Sequence, residues 1–293
     1  MQKITHANYP EIYPYSQSRK ETLCFWHDQG YLRSYEYVIR DGVLYVYKPI
    51  PYNKQMPIFL ALPPLTLNND YQKEADLLHA QDITVSVTNN DLENYSFTTF
   101  PNIRHSQDEY IYSTDTYENL FTTNSNWRHA INKIKRKGFT FEVLVYDKDN
   151  FLSGSRLRDT LKEAKDITRQ WSEETDNDHK DKFYHIDAFE SLYEGNFFTV
   201  RNPAKKLVGY FCTQLIGNTV FLSAYKTLKS EFGNLQISKA FFYEVGKHYR
   251  EKYGRDFFMN FGTGVDSGLA GHKDTLHHSK ILKIYKIDPV KNG

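Results

Sequence analysis

The sequence predicts an α+β protein with two mixed sheets flanked by helices, built as two successive units of similar element order. Runs of β-branched and aromatic residues separated by turn residues recur in both halves. In each half a helical segment then leads into one further strand. Hydrophobic residues make up 40% and charged residues 25% of the 293 residues, which is enough apolar side chain for a sizeable core. We expect a first unit over residues 1–147 and a second over 148–293.

The first half combines a hairpin, a third strand, a helix and a further strand. Asp41-Gly42 is a dipeptide typical of a two-residue hairpin turn, and Asp70 is a suitable N-cap for the helix. The first twenty residues, rich in Tyr, Pro and Ser, are expected to be irregular. The predicted elements are strands at 35–40, 43–48, 57–62 and 83–87 and a helix at 69–80.

The second half repeats this order of three strands, a helix and a strand. Gly254 is the residue type expected just after a helix C-terminus. The repeat is one of element order rather than of sequence identity. The predicted elements are strands at 197–201, 207–216, 220–225, 256–261 and 281–287 and helices at 236–253 and 267–276.

Two further helices are predicted between the repeated units. Residues 116–137 place Trp127, Ile131 and Ile134 along one side, and residues 158–174 show a similar apolar spacing. The polar stretches at 147–150 and 153–155 are typical of a linker, which places the boundary between the units there.

Composition excludes several classes of function. The formal net charge of +1 provides no overall attraction to nucleic acid or anionic lipid, so any such binding needs a local patch. Cys24 and Cys212 fit two reduced, buried thiols rather than a disulfide framework. The adjacent His277 and His278 lack the partners of a zinc motif, so no metal site is expected. No signal peptide or membrane-spanning run is apparent, and a cytoplasmic, soluble protein is predicted.

A meander of antiparallel strands leading into a helix and back to a parallel strand is the core of the GNAT acyltransferase fold. Several segments carry a narrower resemblance. They are residues 35–37 (YEY), 41–44 (DGVL), 62–64 (LPP), 109–112 (EYIY), 127–138 (WRHAINKIKRKG), 258–264 (FMNFGTG) and 268–273 (GLAGHK). Together they make the chain resemble the catalytic domain of phosphatidylglycerol lysyltransferases and, more distantly, the Fem-type peptidyltransferases, in a tandem GNAT-like fold.

The resemblance implies transfer of an aminoacyl group from aminoacyl-tRNA to a hydroxyl or amine, with no bound metal or cofactor. It also implies a strand that separates from its neighbour, so that a backbone N–H meets the ester carbonyl. That strand is 220–225 here. Two alternatives stay open: a CoA-dependent N-acyltransferase, and a non-catalytic module that binds nucleic acid or protein.

Three residues are candidates for the chemistry. Glu231 and Asp266 are the carboxylates best placed to act as a base or to orient an amine, and Lys273 is suited to neutralising an oxyanion or holding a phosphate. Each also has a structural interpretation. Glu231 fits an exposed acid before a helix, Asp266 fits a helix N-cap, and Lys273 fits a solvated helix position.

Three more residues are candidates for substrate binding at strand ends. Tyr225 and Asn260 are expected to face one cleft, and Gly262 lies in the glycine-containing turn that follows Asn260. Carboxyl ends of strands are where open sheets bind ligands. Turn glycines at a strand end are the structural alternative.

The segment 128–137 is the best candidate for contact with tRNA or another nucleic acid. Arg128, Lys133 and Arg136, with two more lysines, place five cations beside Trp127. A solvated helix face explains the same pattern equally well.

A CoA donor is disfavoured by residues 230–235 (SEFGNL). CoA-dependent GNAT enzymes present a loop here whose amides bind the pyrophosphate, with a basic or amide residue at its start and small residues within it. In this chain the basic or amide residue at the start of the loop is absent. Leu235 stands where the loop has a small residue, and the negative charge of Glu231 repels phosphate.

Overall fold

A computed structural model describes residues 1–5, 7–28, 32–48, 59–95, 99–147, 155–175, 194–263, 276 and 278–289. The described strands are β1 (Gln2–Lys3), β2 (Glu36–Arg40), β3 (Val43–Lys48), β4 (Phe59–Leu60), β5 (Leu65–Thr66), β6 (Val85–Thr88), β7 (Ile103–Ser113), β8 (Thr140–Asp147), β9 (Glu194–Arg201), β10 (Leu207–Ile216), β11 (Thr219–Thr227), β12 (Phe258–Thr263) and β13 (Lys280–Ile287). The described α-helices are α1 (Tyr9–Gln17), α2 (Tyr71–His79), α3 (Asn89–Asn94), α4 (Thr114–Thr123), α5 (Ser125–Arg136), α6 (Ser155–Glu174), α7 (Lys229–Phe232) and α8 (Ile237–Tyr253).

The predicted repeat of element order is present. The first unit runs β2, β3, β4, α2, β6, and the second runs β9, β10, β11, α8, β12. In each unit the third strand is parallel to the strand after the helix, whereas the other strand pairs are antiparallel. The α+β class and the tandem arrangement expected from the sequence are therefore confirmed.

The two mixed sheets expected from the sequence are joined into one. The hydrogen-bonded strand order is β1-β2-β3-β4-β6-β13-β7-β12-β11-β10-β9-β8, with β5 paired to β3. Each unit contributes strands to the sheet of the other; β8, the last described strand of residues 1–147, pairs with β9 of the second unit. β13, near the end of the chain, pairs with β6 of the first unit, and β7 pairs with β12 of the second.

The link between the units is the pair β7–β13. These two strands run antiparallel from Ile103 opposite Ile287 to Ile111 opposite Lys280, with one irregularity. The exchange satisfies the edges that each meander leaves open. Residues 148–154, around the predicted boundary, lie outside the described part of the chain, and the division at 147/148 stays a prediction.

One face of the second unit carries an aromatic core. Helices α4, α5 and α8 pack there, with Trp127 of α5 1% exposed and stacked rings running from Tyr117 to Phe242 to Phe261. The predicted stripe of Trp127, Ile131 and Ile134 is buried in this core. The apolar spacing therefore identified the buried side of α5 correctly.

Local signals also proved reliable. Asp41 and Gly42 adopt φ values of 51° and 73°, as a type I′ hairpin turn requires. The Asp70 side chain accepts a hydrogen bond from the Lys73 N–H, and Gly254 ends α8 in the left-handed conformation. Cys24 and Cys212 are both buried free thiols.

Two sequence expectations were wrong in detail, and two strands were missed. The first twenty residues contain α1, which starts at a proline-compatible N-terminal turn and buries Tyr9 and Ile12. The helix predicted over 116–137 is two helices, because Asn124 is extended and its side chain caps α5. Strands β7 and β8 were not anticipated. The helix predicted at 267–276 falls almost wholly outside the described residues.

No helix in the described part of the chain has the length and apolar character needed to cross a bilayer. Nor do the described residues contain a cluster of three or more His, Cys, Asp or Glu side chains suited to a metal ion.

Candidate functional site

The site is defined by the separation of two parallel strands, β11 and β12. They pair only from Thr219 opposite Phe258 to Phe221 opposite Asn260, although β11 continues to Thr227. The separation beside the third strand of the second unit is therefore where the sequence resemblance placed it.

A β-bulge accompanies the separation. On β10, Cys212 lies opposite Ala224 and Thr213 opposite Leu222, which leaves Ser223 as the extra residue of β11. A bulge bends its strand and releases one residue from the ladder of hydrogen bonds. It also reverses the alternation of side chains, so that Phe221 and Tyr225 point to opposite faces.

The segment 22–28 crosses the separated strands on the face opposite α8. The Leu23 N–H donates to Thr219 Oγ1 at 2.9 Å, and Asn260 Nδ2 donates to the Leu23 carbonyl at 3.0 Å. The Phe25 ring meets the Phe221 ring edge-on at 5.6 Å between centroids. Part of the first unit thus forms a wall of the site in the second.

Two buried carboxylates anchor this segment. Glu109 of β7 accepts from the Phe25 N–H at 2.9 Å and from Asn260 Nδ2 at 2.7 Å, and both Glu109 and Asn260 are 0% exposed. Asp28, also 0% exposed, accepts a 2.5 Å hydrogen bond from Ser223 Oγ at the bulge. These contacts fix the segment to both separated strands.

Asn260 and Gly262 lie together as expected. The Gly262 N–H donates to Asn260 Oδ1 at 2.8 Å, and Gly262 has a φ of +69°. A Cβ at Gly262 would lie 3.4 Å from the Phe25 ring. With Nδ2 and Oδ1 both engaged, Asn260 holds the wall of the site in place.

Tyr225 does not share a face with Asn260, contrary to the sequence expectation. Its ring packs against Phe211, with centroids 4.5 Å apart, and against Phe241 and Phe242 of the aromatic core. The bulge at Ser223 is the physical reason, because it reverses the side-chain alternation between the two positions. Burial raises the pKa of Tyr225 to about 12, and hydrogen bonds from Thr227 and Ser238 partly offset it.

Glu231 is tied to the β9–β10 hairpin. Its carboxylate accepts from Asn202 Nδ2 at 3.1 Å and pairs with Lys206 Nζ at 3.3 Å. A catalytic role for Glu231 stays a prediction and requires release from these partners. Asp266 and Lys273 lie outside the described residues, and their predicted roles also stay predictions.

The first amides of α7 are already bonded to an anion from the chain itself. The Lys229 N–H donates to Glu174 Oε2 at 2.7 Å, and the Ser230 N–H and hydroxyl donate to Glu174 Oε1. A carboxylate of α6 thus occupies the first backbone donors of the loop between β11 and α8.

The basic side chains of helix α5 fall into two groups, those that bond to neighbouring helices and those that are exposed. Arg128 donates to the Thr122 carbonyl at 2.7 Å, at the C-terminal end of α4, and Lys135 pairs with Glu244 at 2.8 Å. Lys133 and Arg136 are exposed and form no ion pair with any described residue. A shallow depression of about 620 Å³ follows this helix; the described lining is Ser125, Asn126, Arg128, His129, Asn132, Lys135 and Arg136.

Lys226, next to Tyr225, was missed by the sequence analysis. Its Nζ lies 3.5 Å from the centroid of Trp171 in α6, and it forms no ion pair among the described residues. Burial lowers the pKa of Lys226 to about 8. The available sequence signal for Lys226 was a lone lysine within an apolar strand run. Glu109 had a similar signal, a lone acid within an aromatic run. No sequence signal pointed to Asp28 or Ser223.

No family model matches the sequence, and no curated protein matches it. Solved structures, however, match over nearly the whole chain. A conserved protein of unknown function from Bacteroides thetaiotaomicron is 16% identical, with a TM-score of 0.72 and 97% of each chain covered. L-PGS from Bacillus licheniformis is 14% identical, with a TM-score of 0.67, covering 97% of this chain and 93% of that one. FemX is 12% identical, with a TM-score of 0.60 and 96% of each chain covered.

This chain has the fold of L-PGS and FemX. The fold implied by the sequence resemblance is thereby confirmed, across both units and the exchanged strands. At these identities the likeness concerns the fold alone.

Proposed function

We propose that the chain is an acyltransferase that moves an activated aminoacyl group from aminoacyl-tRNA to a hydroxyl or amine acceptor. The observation that carries the proposal is the separation of β11 and β12 at the Ser223 bulge. It occurs within a fold shared with L-PGS and FemX. The sequence resemblance to phosphatidylglycerol lysyltransferases adds the aminoacyl character.

The bulge supplies what acyl transfer requires of a backbone. Attack on an ester places negative charge on the carbonyl oxygen, and a positioned N–H donor stabilises that charge. In our proposal the backbone N–H groups near Ser223 bind this oxygen. Tyr225, which stays neutral because its pKa is about 12, donates from the α8 face.

The remaining roles are assigned by chemistry and motif. Glu231 or Asp266 removes the proton of the acceptor, and Lys273 stabilises the oxyanion or holds a phosphate. Lys226, with its pKa near 8, is a further group able to lose or carry a proton close to neutral pH. None of these steps needs a metal ion.

The contacts of Glu174 favour tRNA over CoA as the carrier of the acyl group. The Glu174 carboxylate occupies the first amides of α7 as a hydrogen-bond acceptor, and its charge repels a phosphate group there. Lys133 and Arg136 instead provide two exposed cations on α5, without ion pairs to described residues, for a nucleic-acid backbone.

The test is transfer of label from tRNA charged with radioactive amino acids to fractionated cell extracts. We expect one acceptor fraction to become labelled by the wild-type protein, with the rate reduced about tenfold or more by Tyr225→Phe. Lys162→Gln, an exposed position on α6, serves as the control and should retain full activity. CoA retained in native mass spectrometry, with transfer from acyl-CoA and none from tRNA, would overturn the assignment of the donor.

A non-catalytic binding module is the second candidate. The contact that favours it is the buried Asp28–Ser223 hydrogen bond, which places the 22–28 segment against the bulge. Under this alternative the protein binds tRNA, but no fraction becomes labelled with any charged tRNA.

A further inference from the structure

Two lysines and a serine converge on one face of the first-unit sheet, away from the β11–β12 separation. Lys48 of β3 lies opposite Phe59 of β4, and Lys286 of β13 lies opposite Ser86 of β6. Directly opposite residues of paired strands share a face. The Nζ atoms of Lys48 and Lys286 lie 5.5 and 4.6 Å from the centroid of the Phe59 ring, so both ammonium groups contact one side chain.

Among the described residues, the carboxylate that acts on these ammonium groups is that of Asp288, whose charge raises the pKa of Lys286. Neither Lys48 nor Lys286 forms an ion pair with any residue that the structure describes. The nearby carboxylate of Asp288 is already engaged by Arg104 at 2.8 Å and by Thr84 Oγ1 at 2.7 Å. Both lysines are half-buried, and burial lowers the pKa of each; the charge of Lys286 lowers that of Lys48 further. Two like charges in a partly desolvated place are costly without an anion.

Ser86 adds an unsatisfied hydroxyl. Its side chain is 3% exposed, and Ser86 Oγ has no hydrogen-bond partner among the residues that the structure describes. Buried hydroxyls in folded proteins are nearly always bonded. A ligand oxygen that accepts a hydrogen bond from Ser86 Oγ explains why the described residues supply no partner.

The 22–28 segment connects this place to the separated strands. The Trp26 ring lies 4.9 Å from Lys48 Nζ, and the neighbouring Phe25 contacts Phe221 beside the bulge. A ligand held by Lys48 therefore lies against the same segment that walls the candidate site.

We infer that Lys48, Lys286 and Ser86 form a binding site for a phosphate group. A phosphate dianion matches the two positive charges, and its oxygens accept from both ammonium groups and from the hydroxyl. The aromatic rings of Phe59 and Trp26 hold the lysine ends in place. This site is separate from the proposed chemistry, and its test does not depend on catalysis.

The test is titration calorimetry with inorganic phosphate, together with thermal unfolding in phosphate and in chloride at equal ionic strength. We expect phosphate to bind and to raise Tm. Lys48→Met and Lys286→Met should each weaken phosphate binding by about tenfold or more, as expected when a charged hydrogen bond is lost. The double variant should show no phosphate-dependent rise in Tm.

A readout in chloride separates binding from a structural role. Removing one of two uncompensated charges should leave Tm in chloride unchanged or raise it, whereas a structural lysine would lower it. Lys283→Met, an exposed position on β13, is the matched control and should keep the full phosphate effect. Equal loss in Lys283→Met, or an undiminished effect in the double variant, would overturn the inference.

Two sources of the phosphate group are distinguished by a second arm. Vesicles of phosphatidylcholine with and without phosphatidic acid are sedimented with the protein. Sedimentation that needs phosphatidic acid and is lost in the double variant identifies a lipid headgroup. Phosphate binding without sedimentation identifies a soluble phosphate ester.

Discussion

Single side chains around the bulge decide what this site can do. Lys226 is the clearest case, because its desolvated ammonium on the Trp171 ring pairs with no carboxylate of the described residues. A residue kept at a cost to stability is often kept for function. The stability cost and the functional role of Lys226 are separable by experiment.

We predict that Lys226→Met stabilises the protein at pH 7. The pKa of Lys226 is about 8 in the folded protein against an ordinary 10.5. The unfolded chain therefore binds more protons between these values, and the stability of the wild type rises with pH across that window. The advantage of the variant should be full below pH 8 and shrink towards pH 10.5, as measured by urea unfolding at several pH values.

The control for this series is Lys229→Met, an exposed lysine three residues further on. A stabilisation of Lys226→Met that is the same at pH 7 and pH 10.5 contradicts the pKa assignment. Loss of label transfer in the same stabilised variant would assign Lys226 to the reaction.

Asn260 is the second position at which one side chain matters. We predict that Asn260→Asp lowers the free energy of unfolding by about 2–4 kcal/mol, because it removes the donor to Leu23 and places a carboxylate against buried Glu109. The loss should be smaller at acidic pH, where one of the two carboxyls takes a proton. Chemical denaturation measures it, and Asn126→Asp at the exposed start of α5 should cost almost nothing.

At the scale of elements, the basic helix α5 has two separable functions. We predict that Lys133→Gln with Arg136→Gln weakens tRNA binding, leaves Tm unchanged and lowers the slope of log K against log salt by about 1–2. Arg128→Gln should instead lower Tm and leave tRNA binding and its salt slope nearly unchanged, because Arg128 bonds a carbonyl at the end of α4. Filter binding at several salt concentrations, with differential scanning fluorimetry, makes the comparison.

The matched control removes two cations from α6, as Lys162→Gln with Arg169→Gln. Both are exposed and pair with acids of their own helix. If this control weakens binding as much as the α5 variant does, the contact is general electrostatics rather than a site on α5.

The hairpin between β10 and β11 is held against the first unit at Gly217. Its N–H donates to Gln17 Oε1 at 2.8 Å, and a Cβ there would lie 2.7 Å from the Arg19 carbonyl. Gly254 has a similarly positive φ of +66° with open space around it. We predict that Gly254→Ala costs about 1–2 kcal/mol from backbone strain and Gly217→Ala about 1–3 kcal/mol more. Equal losses in urea unfolding would show that the hairpin contact is loose.

At the scale of the whole molecule, the exchange of β7 and β13 ties the two units into one cooperative structure. We predict a single calorimetric transition with equal van't Hoff and calorimetric enthalpies, because neither sheet is complete without a strand from the other unit. Fragments 1–150 and 151–293 should be unstable alone and associate when co-expressed. Two separate transitions, or a folded and monomeric fragment 1–150, would contradict this.

Much of the architecture was predictable because it follows from short-range rules. Asp41-Gly42, the Asp70 cap, Gly254 and the Trp127 stripe each act within a turn or two of chain, so the repeat of strands and helix could be derived from them. The motif resemblance then led to the correct fold. The exchange of β7 and β13 could not be derived, since it pairs residues far apart in the chain, such as Ile103 with Ile287.

The sequence by itself determined the repeated strands and helix of each unit, their order, the buried side of α5 and the class of fold. Only the tertiary structure decided that Tyr225 and Asn260 lie on opposite faces, that Glu174 occupies the first amides of α7, and that Lys48 and Lys286 meet over Phe59. The physical reason is that one bulge reverses a strand's alternation, and that charges distant in the chain become neighbours only when strands pair.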